Sequence, residues 1–84
     1  MKSGLCMEEK NNEVNKYIDN ISRYLNWKYP NILSDEQIIR TKALFNNSDE
    51  DIDLIKSKID ILMIQTIEEY VTFKEKQKVF IDVT

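Results

Sequence analysis

The stretch SDEDIDLIKSKIDILMIQTIEEYVTFKEKQKVF, residues 48–80, contains no Gly and no Pro. It reads as one long helix that is apolar on too many sides. Ile52, Ile55, Ile59, Leu62, Met63, Ile67, Tyr70 and Phe73 follow a 3.6-residue period and form one stripe. Leu54, Ile61, Ile64 and Val71 lie on a second line beside it. At about 100° per residue the two sets span roughly three quarters of the circumference. A surface helix of a small domain buries one stripe and wets the rest. This helix asks for neighbours on two sides, in a chain with few to offer.

Working back along the chain, Val14, Tyr17, Ile18, Ile21, Tyr24 and Leu25 make a single apolar face over Glu9–Trp27, backed by Asn, Lys, Asp and Ser. Pro30 ends this first helix and holds Tyr29 away from helical angles. Ser34 and Gln37 then form a capping box, with Leu33 and Ile38 as its hydrophobic staple. The second helix, Asp35–Phe45, is expected to bury Ile38, Ile39, Leu44 and Phe45. Asn46 and Asn47 close it, because Asn tolerates left-handed backbone at helix ends. Ser48-Asp49-Glu50-Asp51 repeats the character of Ser34-Asp35-Glu36-Gln37 and is expected to act as a second N-cap with an acidic first turn.

The prediction is therefore an all-α fold, a small three-helix bundle with a long C-terminal helix, the helices at about 9–28, 35–46 and 49–78. The first and third helices pack along their stripes and the second bridges one end. The 84 residues form a single domain. Residues 1–8 are expected as a flexible N-terminal tail, with Met1 and Met7 both open as the start, and residues 79–84 as a C-terminal tail. Val79-Phe80-Ile81 has strand-like composition but no strand to pair with, so the tail is expected to dock on a groove.

Composition excludes more than it includes. Lys+Arg 12 against Asp+Glu 15 gives a net charge of -3, which argues against general nucleic-acid affinity. No apolar run reaches the roughly 18 residues of a membrane span, and the N-terminus lacks a signal peptide's apolar core. A lone Cys6 cannot form an internal disulfide and reads as a reduced thiol, which places the chain in the cytoplasm. With no His and one Gly, zinc sites, Cys–His nucleophiles and phosphate-cradling loops are missing. The cluster Asp49, Glu50, Asp51 and Asp53 lacks the Gly of a calcium loop and reads as helix-start charge. The same acids would meet phosphates if the last two helices acted as a helix-turn-helix, so DNA reading is disfavoured. No catalytic residue, metal ligand or cofactor site is expected. The richness in Ile, Lys and Asn, with only two Arg, fits an AT-rich genome such as that of a low-GC bacterium, a phage or a virus.

What remains is association. Leu54, Ile61, Ile64 and Val71 are expected to form an interaction strip. Tyr24, Trp27 and Tyr29 form an aromatic patch of the kind enriched at binding hot spots. The functional expectation is a non-catalytic regulator or inhibitor of a protein partner, of antitoxin, immunity or viral-inhibitor type. A homodimer through the third helix, antiparallel or crossed, is expected too, with Ile64→Asp more disruptive than Val79→Asp. A structural subunit or assembly factor is the first alternative, and a nucleic-acid-binding regulator the second.

Overall fold

The computed structural model describes the backbone of residues 6–83 and the side chains of residues 6–76. Three helices follow one another: α1, Met7–Lys28; α2, Asp35–Phe45; and α3, Ile52–Val83. This is the small all-α fold with a long last helix that the periodicity predicts.

α1 begins earlier than the expected Glu9. Cys6 is its N-cap, in a capping box with Glu9 made of two long contacts, 3.5 Å from the Glu9 N–H to Sγ and 3.4 Å from the Cys6 N–H to the carboxylate. α1 ends at Tyr29, extended as the residue before a proline must be. The Ile32 N–H returns to the Tyr29 carbonyl at 3.0 Å. Pro30 and Asn31 occupy the two corners of this turn, and Asn31 has φ 64°, the combination that a type II turn requires.

α2 has the expected box. The Gln37 N–H donates to Ser34 Oγ at 3.2 Å and the Ser34 N–H to Gln37 Oε1 at 2.9 Å. Asn47, not Asn46, takes the left-handed conformation, with φ 60°. The second expected N-cap is displaced. α3 starts at Ile52, and its first internal bond runs from the Ile55 N–H to the Asp51 carbonyl at 3.0 Å. Ser48 lies three residues upstream, its hydroxyl accepting from the Glu50 N–H at 3.1 Å. A Ser followed by acids makes a local turn as readily as a cap. Asp49, Glu50 and Asp51 therefore form the approach to α3, not its first turn.

The core consists of Val14, Ile18 and Leu25 of α1, Ile32 and Leu33 of the first turn, and Ile55, Ile59 and Met63 of α3. Polar contacts give the directions. Glu13 reaches Lys56 at 3.7 Å, Tyr17 reaches Asp60 at 2.5 Å, and the Tyr29 and Tyr70 rings meet at 5.7 Å. Both numbers rise together, so α1 and α3 run parallel. α2 runs back along α1, with Lys42 against Asp19 at 2.7 Å and Asn46 against Asn15 at 2.9 Å.

Two expectations about the core fail. Ile39 and Leu44 are 64% and 68% exposed. The packed face of α2 is Ile38, Thr41 and Phe45, and at about 100° per residue Ile39 and Leu44 project to either side of it. Phe73 follows the buried stripe of α3 but is exposed, because α1 stops before reaching it. Every residue from Val71 to Lys76 is exposed. α3 thus projects past the rest of the molecule, which measures 59 × 20 × 18 Å. The radius of gyration, 15.9 Å, exceeds the roughly 12 Å of a compact chain of this length. The backbone stays helical to Val83, so the segment expected as a separate tail continues α3. The side chain of Val79 lies outside the described residues, as do residues 1–5 of the expected N-terminal tail.

Candidate functional site

The site is the outer face of α3. α1 covers one side of that helix, through Ile55, Ile59 and Met63, which are at most 2% exposed. α2 packs on α1 and leaves the opposite side of α3 open. Leu54 is 48% exposed, Ile61 57%, Ile64 55% and Val71 37%. These are the four residues of the second line read from the sequence, and they share one face of one helix. Phe73 adds a further exposed apolar side chain near the projecting end. Its signal was the length of the first helix, too short to reach it.

The aromatic patch divides. Tyr24 and Trp27 stay exposed, their rings tilted at 39° with centroids 6.0 Å apart. Tyr29 leaves them and packs edge-on against Tyr70, whose hydroxyl donates to the Pro30 carbonyl at 3.1 Å. Tyr29 is thereby a packing residue that pins the first turn to α3. Tyr17 has a similar role between α1 and α3. It donates to Asp60, and the Lys56 ammonium lies 5.3 Å from its ring. The bond to Asp60, assisted by burial and by the Asp60 charge, pushes the Tyr17 phenol up to about 12.

The asparagines of α1 have a use that amphipathic patterning hides. Asn11 exchanges two hydrogen bonds with Asn47, accepting from its backbone N–H at 2.9 Å and donating to its side-chain oxygen at 3.0 Å. Asn15 accepts from Asn46, which also donates to the Lys42 carbonyl. Lys10 donates to the Ser48 carbonyl at 2.7 Å. At the other end Asn26 accepts from the Leu33 N–H at 2.9 Å and donates to the Leu33 carbonyl at 3.0 Å. Polar side chains of α1 therefore clamp both turns.

The acidic approach to α3 is partly neutralised, Glu50 pairing with Lys58 at 2.5 Å. Among the described residues no three Cys, Asp or Glu side chains gather in a metal-binding arrangement. No described helix is long and apolar enough to cross a membrane. Comparison with protein-family models, curated proteins and solved structures finds no match for this chain.

Proposed function

We propose that this chain is a small non-catalytic interaction module that acts in the cytoplasm as a regulator or inhibitor of a protein partner. The observation that carries the reading is the exposed apolar line of Leu54, Ile61, Ile64 and Val71 on a helix whose other side is locked into the core. Large apolar side chains grouped on one exposed face are characteristic of docking faces. Trp27 and Tyr24 offer a second anchor of the type that dominates binding energy. Antitoxins, immunity proteins and viral inhibitors fit the size and the lack of a catalytic inventory.

The test is affinity capture from the source cells with wild-type and Ile64→Asp protein. A protein retained by the wild type and lost with Ile64→Asp supports the reading. A partner held equally by both removes α3 from the function. The projecting end of α3 favours a second reading, a structural subunit that inserts this end into a larger assembly. Phe73→Asp would then release the partner while Ile64→Asp would not.

A further inference from the structure

The exposed face of α3 has an internal symmetry. Leu54, Ser57, Ile61, Ile64, Glu68, Val71 and Glu75 are spaced three, four, three, four, three and four residues apart, the seam of a two-stranded coiled coil. All seven lie on the side of α3 away from the buried Ile55, Ile59 and Met63. The apolar members are placed palindromically. Ile61 and Ile64 flank the Leu62–Met63 peptide bond by one and a half residues, and Leu54 and Val71 flank it by eight and a half.

We infer that the occupant of this face is a second copy of the same chain, with the two α3 helices antiparallel and crossing at Leu62–Met63. This deepens the reading of α3 as an interaction face and rests on it. In this register Leu54 of each copy meets Val71 of the other, and Ile61 meets Ile64. Ser57 meets Glu68, so the carboxylate faces a hydroxyl and solvent instead of its own image. Along the flank Asp53 stands opposite Lys74, and two-fold symmetry makes this pair twice. Lys74 at present lies 5.5 Å from the Tyr70 ring, a contact that an exposed lysine exchanges readily. Glu75 lies past the start of the partner's α3, beside its non-helical approach, where Glu50 is already paired with Lys58. The parallel, in-register alternative fails on charge: it stacks Glu68 on Glu68 and Glu75 on Glu75 inside the seam. Charge and spacing thus select one register of one partner.

Sedimentation of the full chain over low to high micromolar concentrations is the first arm, and a concentration-dependent dimer is expected. Orientation is read by disulfide trapping between single-cysteine variants in a Cys6→Ser background. Leu54→Cys mixed with Val71→Cys should give a covalent heterodimer, and Leu54→Cys alone should not cross-link with itself. Both positions are exposed, and circular dichroism confirms folding of each variant. Asp53→Lys should weaken association about tenfold through two like-charge pairs, and adding Lys74→Asp should restore it. A monomer at all concentrations overturns the dimer, while partner capture that is sensitive to Ile64→Asp would still support the docking reading. Self-cross-linking of Leu54→Cys overturns the antiparallel register.

Discussion

Tyr17 donates its phenolic proton to Asp60 at 2.5 Å, joining the middle of α1 to the first third of α3 beside the buried pair Ile18 and Ile59. The bond needs the neutral phenol and the ionised carboxylate. Its effect on stability therefore has a sign. The folded phenol titrates near 12 and the unfolded one near 10.0, so on alkalinisation the unfolded chain releases the proton first. The contribution is fully present below pH 10 and is lost between about pH 10 and 12. Urea midpoints of wild type and Tyr17→Phe should differ by a constant amount from pH 7 to 9 and converge above pH 10. A difference that persists unchanged at pH 11.5 would remove the Asp60 bond from the account.

Ser22 presents the opposite case. Its side chain is buried, and among the described residues its hydroxyl has no hydrogen-bond partner. Ser22→Ala removes an unsatisfied polar atom and adds helix propensity, so it should stabilise the fold by about 1 kcal/mol. Chemical denaturation checks this, and a loss of stability would place an ordered water at the hydroxyl.

Asn26 satisfies both backbone groups of Leu33, a residue only 7% exposed. Asn26→Ala should cost about 2 kcal/mol, since a partly buried donor and acceptor both lose their partner. Trp27→Ala, one residue on and 77% exposed, should change stability by no more than about 0.5 kcal/mol. Equal effects would show that α1 contributes only helix propensity here.

Ile59 and Ile61 are two residues apart on α3, 0% and 57% exposed. Ile59→Ala should destabilise by about 2–5 kcal/mol through cavity formation. Ile61→Ala should leave the unfolding of dilute protein nearly unchanged. Its effect should appear only in measurements that depend on association.

The three helices, their approximate ends and the exposed line on α3 are legible because each rests on local periodicity. Ser34 with Gln37 is legible as a cap because the box closes within four residues. What the pattern hides is relational. Ile39 and Leu44 look like core until α2 is seen to pack through Ile38, Thr41 and Phe45. Phe73 keeps the period of a buried stripe, but burial needs a neighbour and α1 ends first. Ser48 resembles Ser34 in sequence and differs from it because no residue three positions on reaches back to close a box. Cys6 is an uncommon cap, which single-residue preference does not favour. The Asn clamps of α1 are invisible to hydrophobic patterning, since they are polar residues on a polar face.

The projection of α3 past Tyr70 divides one helix into two thermodynamic objects. Amides from Ile55 to Met63 are tied to the core, so their hydrogen exchange should follow global unfolding. Residues Val71 to Lys76 are all exposed, and Val71, Thr72 and Phe73 are weak helix formers. Exchange of their amides should follow local opening at a much smaller free energy. The second set therefore works as a built-in gauge of occupancy. Whatever docks against this end slows its exchange first, while the first set, already near its ceiling, records only the added global stability.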